Sequence, residues 1–152
     1  YLYRQEDYDY WSAALGGDVA AGSFGENLTV AELPDPYLCV GDEIELPNVR
    51  LQVTAPRIPC STLAAKMGDK LFPKKFIKAQ LPGIYCRVLE QGRVQVGDAF
   101  TIAPYEGDRI TTVEFFSDWL GKMSHEKLKR YLNVPIDIRS RRVMEEKIRA
   151  GV

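Results

Sequence analysis

Between Tyr37 and Ala103 the chain is cut into short apolar runs by turn-forming residues, and this punctuation constrains the fold more than any other feature. Tyr37-Leu38-Cys39-Val40 runs into Gly41-Asp42. Ile44 and Leu46 alternate up to Pro47-Asn48, and Val49, Leu51 and Val53 then alternate with Arg50, Gln52 and Thr54 until Pro56 and Pro59. Period-two alternation marks a strand with one face buried, and Gly, Pro, Asn and Asp between such runs mark turns. Past Gly83, residues 84–90 read as a further strand, Gln91-Gly92 as a hairpin-type turn, 93–96 as the returning strand and 100–103 as another short strand. Val40-Gly41-Asp42 is echoed by Val96-Gly97-Asp98, which predicts two similar corners. Many short strands joined by glycine turns suit a barrel or a sandwich.

Helical signals flank this β region. Tyr8, Tyr10, Trp11 and Leu15 are expected on one face of a short helix that Gly16-Gly17 ends. Residues 21–30 read as a loop leading into an apolar segment. Cys60 follows Pro59 directly, and 61–67 are helix-prone, with Ser61 or Thr62 as the expected cap. Residues 70–80 mix Lys70, Lys74, Lys75 and Lys78 with Leu71, Phe72, Phe76 and Ile77. After Pro104 three short helices are expected. Thr111 to Glu114 form a capping box for a helix through Phe115, Phe116, Trp119 and Leu120, Ser124 caps one ending at Leu132, and a third runs from about Ile138 to Arg149. The expectation is a mainly β domain over 1–103 and a small three-helix domain over 111–152.

Composition excludes several classes. Net charge is −1 and the pI near 5.9, which argues against a general nucleic-acid binder. No apolar run approaches a membrane span, and no signal peptide is visible. Because the sequence opens on Tyr1, it is read as starting inside a longer gene product or as having had its beginning removed. The three cysteines (Cys39, Cys60 and Cys86) form no CxxC, and His125 is the one histidine, so neither a disulfide framework nor a Cys/His zinc site is expected. A reducing cytoplasm suits such thiols. Cys39 and Cys86 sit in apolar runs and read as core; His125 reads as a surface residue. For Cys60 the residues alone leave two readings, a small packed side chain or a reactive thiol.

Three strings in order carry a resemblance. Gly22-Ser23-Phe24-Gly25-Glu26-Asn27-Leu28-Thr29 comes first, Pro56-Arg57-Ile58-Pro59-Cys60 second and Gly83-Ile84-Tyr85-Cys86-Arg87-Val88-Leu89 third. Together with the two Gly-Asp corners they resemble the MOSC domain family, named for the C-terminal domain of molybdenum cofactor sulfurases, and within it the YiiM-like branch with its three-helix tail. The resemblance implies a β-barrel of the pyruvate-kinase-barrel type with short helices. Family members carry several dozen residues before the position of Tyr1, including the first barrel strands, so an incomplete barrel with an unpaired edge is expected. Residues 71–80 match no family string.

The resemblance further implies molybdenum cofactor (molybdopterin) as the bound group and Cys60 as its thiolate ligand and catalytic residue. Soft sulfur suits molybdenum, and a thiolate needs a lowered pKa, which Arg57 and a helix N-terminus after Cys60 would supply. Glu26, Asn27, Thr29, Arg57, Tyr85 and Arg87 are the implied cofactor-binding residues. Asn27 and Thr29 would face the pterin, while Arg87 and one or more of Lys70, Lys74, Lys75 and Lys78 would face the phosphate. The implied activity is reduction of N-hydroxylated compounds, such as N-hydroxylated purine bases. An external flavin- or iron–sulfur-containing reductase would be the donor, since the chain has too few cysteines for a cluster of its own. A non-catalytic carrier of cofactor or sulfur is the alternative, and a protein-interaction module is a third. At family level the resemblance also brings an association with pyridoxal phosphate, and it leaves room for a homodimer.

Overall fold

In the computed structural model, residues 1–33 and 38–151 are described. The Tyr37 end of the first expected strand therefore lies outside the described residues. The strands are β1 (Leu2–Arg4), β2 (Leu28–Val30), β3 (Glu43–Leu46), β4 (Val49–Pro56), β5 (Ile84–Glu90) and β6 (Thr101–Ala103). They form one mixed sheet in the order β2-β1-β5-β4-β3-β6, with only β1 and β2 parallel. Among the described residues this sheet curls without closing; β2 and β6 are its two edges. The alternation in β4 has its expected cause, since Val49, Leu51 and Val53 are buried against Leu2, Leu38, Ile44 and Ile84.

The helices are α1 (Gln5–Leu15), α2 (Ser61–Lys66), α3 (Phe72–Ala79), α4 (Thr112–Trp119), α5 (His125–Leu132) and α6 (Ile138–Arg149). Thr111 caps α4 by accepting the Glu114 N–H at 3.0 Å, and Ser124 caps α5 by accepting that of Lys127 at 3.2 Å. The capping box of α4 is only half made, because the Glu114 carboxylate holds Arg130 instead. These three helices do not stand apart from the sheet. Val40 and Ala55 share one apolar cluster with Phe115, Leu128, Tyr131, Ile136 and Met144.

Three expectations are corrected. Residues 93–96 form no returning strand. The chain instead passes the β3–β4 turn at Gly92, where a Cβ would collide with the Asn48 carbonyl oxygen, and reaches β3 at the far edge as β6. Val94 and Val96 remain exposed, so their alternation finds no apolar surface to bury. Second, residues 2–4 are a strand, and α1 buries Tyr8 and Trp11 with Asp7 while Tyr10 and Leu15 stay exposed. Third, Cys60 itself, not Ser61 or Thr62, is the N-cap of α2. Residues 70–80, for which no element was expected, contain a helix whose Phe72 and Phe76 are wholly buried among Tyr3, Tyr8, Trp11, Phe24 and Phe116, with the lysines outside. Cys39 is buried as expected, and His125 lies exposed at the start of α5.

Candidate functional site

The site grows from the end of β4. Pro56 closes that strand, and Arg57-Ile58-Pro59 carries the chain outward to Cys60, which lies exposed in an extended conformation at the head of α2. Backbone N–H groups in the first turn of a helix lack helical acceptors and favour an anion. Here the Leu63 N–H is the main cause that holds the Cys60 thiol below its usual pKa. The slight burial of the sulfur opposes this, and the hydroxyl and N–H of Thr62 and the charge of Arg57 add to it. Cys60 opens on a groove of about 690 Å³ whose lining includes the apolar Ala64, Ala65 and Pro73 and the charged Asp69 and Lys70. That volume is within the usual range for a small-molecule site.

Arg57 is half-buried beside this sulfur. Its Nη1 donates to the Phe24 carbonyl at 2.5 Å, its backbone N–H donates to Gly83 O at 2.9 Å, and its guanidinium lies 5.1 Å from the centre of the Tyr1 ring. Tyr1 also packs on Tyr85, with ring centres 5.2 Å apart. Gly83 makes this possible, since a Cβ there would collide with the Tyr1 ring.

The loop carrying the first resemblance string meets the same group of residues. Glu26 Oε1 accepts from Tyr8 Oη at 2.5 Å, Gly22 N at 2.6 Å and Thr29 Oγ1 at 2.8 Å. Burial works against a charge on Glu26, but these hydrogen bonds outweigh it and hold the carboxyl below its usual range. Its other oxygen, Oε2, is buried with no hydrogen-bond partner. Asn27 Oδ1 accepts from the Tyr1 nitrogen at 2.9 Å.

Six of the seven residues singled out in the sequence therefore gather in one region: Cys60, Arg57, Tyr85, Glu26, Asn27 and Thr29. Arg87 turns elsewhere, donating to Gln52 Oε1 at 3.2 Å and to the Ile136 carbonyl at 3.4 Å beside the helical tail. Of the lysines, Lys70 lines the groove and Lys75 pairs with Asp69 at 2.8 Å. Sequence reasoning missed Tyr1, Tyr8 and Lys66. Lys66, in the last turn of α2, donates from Nζ to Gly22 O at 2.9 Å. Its place in the helix that follows Cys60 was a signal of proximity; nothing in the sequence signalled the aromatic packing that brings Tyr1 and Tyr8 here.

The MOSC domain model matches residues 1–101. The chain belongs to the MOSC domain family. Among relatives of this MOSC chain, the uncharacterized protein YflK of Bacillus subtilis (strain 168) is 38% identical over 114 residues, covering 75% of this chain and 51% of YflK. A protein of Gibberella moniliformis described as "Reductase" is 30% identical over 118 residues, 74% of this chain and 21% of that protein. The chain thus spans about half the length of the first relative and about a fifth of the second. In structure it resembles YiiM from Geobacillus stearothermophilus (TM-score 0.88, 25% identity, 96% of this chain and 76% of that one). YiiM from Escherichia coli gives a TM-score of 0.87 at 22% identity, covering 99% and 77%. These likenesses cover the sheet and the helical tail together.

The MOSC family is associated with molybdenum cofactor, and the residues present fit that group. A soft sulfur stands exposed, where molybdenum wants sulfur. The orphaned Glu26 Oε2 suits a donor such as a pterin N–H. Among the described residues no three His, Cys, Asp or Glu side chains converge as a cage, so a metal here would bring most of its ligands with it. No helix among the described residues is long and apolar enough to cross a membrane.

Proposed function

We propose that this chain binds molybdenum cofactor through Cys60 and reduces small N-hydroxylated compounds, N-hydroxylated purine bases among them, with electrons from an external flavin- or iron–sulfur-containing reductase. The observation that carries the reading is the exposed Cys60 sulfur, its pKa lowered, at the mouth of a groove beside Arg57. The relative described as "Reductase" agrees with a redox role. The overall change is balanced: R–NH–OH takes two electrons and two protons and yields R–NH2 and water. When bound, the cofactor supplies two-electron chemistry that no side chain here can perform.

The remaining tasks fall to the chain's own residues. Cys60 holds its thiolate ready as a ligand because the first turn of α2 has already lowered the cost of the charge. Glu26, kept ionised by Tyr8, Gly22 and Thr29, accepts a hydrogen bond through Oε2. Asn27 keeps its amide nitrogen for the ligand, because its oxygen is already used. Ala64, Ala65 and Pro73 give the groove apolar surface that suits a flat ring, while Lys70 offers positive charge. Arg57 is committed to Phe24 and Tyr1, so its part is to set charge beside the sulfur rather than to chelate phosphate.

The test is turnover of an N-hydroxylated purine by protein purified from cells with intact cofactor synthesis, using a chemically reduced dye as donor. Wild type is expected to draw two electrons from the dye for each substrate reduced, and Cys60→Ala to fall to background. Cofactor binding without turnover would replace the enzyme reading with that of a carrier. Equal turnover by both proteins would remove the role of Cys60.

A further inference from the structure

Cys60 and Asp69 line one groove from the two ends of α2. Cys60 caps the start of that helix. At its finish Gly68, with φ of +63°, donates its N–H to Ala65 O at 3.2 Å, and Asp69 donates its own to Ala64 O at 3.1 Å. A glycine in the left-handed region commonly ends a helix with this pair of bonds, and here it turns Asp69 back onto the last turn. Because α2 has six residues, the two residues stand on the order of 10 Å apart. The Asp69 carboxylate is fixed at both oxygens. Oδ1 accepts the Leu71 N–H and Oδ2 pairs with Lys75 Nζ, each at 2.8 Å. Lys75 first, and then the Leu71 N–H, hold the carboxyl below its usual pKa against a slight opposing effect of burial, so it stays ionised. A carboxylate offers about four lone-pair sites, and these two bonds leave the others for a ligand. Among the described residues Asp69 is the one acid that lines the groove.

We propose that Asp69 is a specificity-determining residue: it accepts the imidazole N–H of a purine whose N–OH group lies toward Cys60, and so selects free bases over nucleosides. The proposal rests on the reading that an N-hydroxylated purine occupies this groove, but not on its being reduced there. The imidazole edge of a purine lies away from an N–OH on the six-membered ring. A base with that group at the Cys60 end of α2 therefore brings its imidazole N–H toward the Asp69 end. In a nucleoside that nitrogen carries the sugar, so the donor is lost and the carboxylate faces carbon. A site built on a charged acceptor rejects an analogue that lacks the donor far more sharply than apolar surface does. Ala64, Ala65 and Pro73 offer only such surface, and Lys70 can only donate. The discrimination thus falls to Asp69.

Calorimetric titration of the full-length protein, purified from cells with intact cofactor synthesis, tests this with two probes: a hydroxylaminopurine free base and the same base methylated on its imidazole nitrogen. Wild type is expected to bind the free base about tenfold more tightly than the methylated one. Asp69→Asn keeps an oxygen for the Leu71 N–H, and with it the turn, but removes the charge. It should weaken the free base about tenfold and leave the methylated base unchanged, with the same molybdenum content as wild type. Lys75→Met, which only frees the carboxylate to move, should weaken the free base by less, about threefold, and serves should the first variant fail to fold. Equal affinity for the two bases in wild type overturns the proposal. So does a loss in Asp69→Asn that both bases share, or a loss of molybdenum there, which would assign Asp69 to the cofactor. Turnover without selectivity would sink this proposal alone, whereas selective binding without reduction would uphold it and sink the proposed function instead.

Discussion

Asp42 and Asp98 sit in the same local turn, each preceded by a left-handed glycine, with φ of +94° at Gly41 and +91° at Gly97, and each accepting a backbone N–H from three residues back. The echo between Val40-Gly41-Asp42 and Val96-Gly97-Asp98 was legible because that geometry is local. What the sequence hid is burial. Asp42 is 1% exposed and takes Cys39 N, Tyr105 N and the Arg109 guanidinium, whereas Asp98 is only half-buried and takes Gln95 N. Asp42→Ala would strand those donors and is expected to cost about 3 kcal/mol in urea unfolding, while Asp98→Ala should cost about 0.5 kcal/mol or less. Cys86 gives a pH test at the same scale. Burial pushes its folded pKa up to about 12, above the 9.0 of an exposed thiol, so the folded chain keeps a proton that the unfolded chain releases. That stabilisation is whole below about pH 9 and drains away as pH rises toward 12. Wild type should lose about 1 kcal/mol between pH 9 and 10 from this thiol, and Cys86→Ala should lose correspondingly less over the same interval.

The elements differ in how far their own residues declare them. The strand Val49–Pro56 and the helices Thr112–Trp119 and Ile138–Arg149 follow from period and caps, because each carries its signal within its own length. Phe72–Ala79 did not, since its three lysines mask a face on which Phe72 and Phe76 alone are fully buried. Leu2–Arg4 is too short to show alternation and is a strand only because Leu28–Val30 and Ile84 lie beside it. Phe76 stacks on Trp11 with planes 7° apart and meets Phe24, Phe72 and Phe116 as well. Phe76→Ala is therefore expected to cost about 3–5 kcal/mol, read from urea unfolding. Thr111→Ala, which removes one cap from an intact helix, should cost about 1 kcal/mol.

At the scale of the molecule, the sheet and the helical tail share a single apolar cluster, and Arg130 ties α5 to Asp108 at 2.7 Å and to Glu114. The change of element type after residue 103 was plain in the sequence. The shared core was not, because Val40 and Ala55 meet Tyr131 and Met144 only through the fold. One cooperative transition, with sheet and tail melting together by near- and far-UV circular dichroism, is the expected behaviour. The candidate site shows the same division. Cys60 and Arg57 were legible as adjacent residues in one string, whereas Tyr1, Tyr8 and Lys66 join them from elsewhere by tertiary packing. The central claim is that the exposed sulfur of this assembled site holds molybdenum cofactor. It is tested most directly by elemental analysis of full-length wild type and Cys60→Ser, each purified from cells that make the cofactor. About one molybdenum per chain in the wild type and at most about a tenth of that in the variant is the predicted result; equal molybdenum in the two proteins, or none in either, would contradict the account.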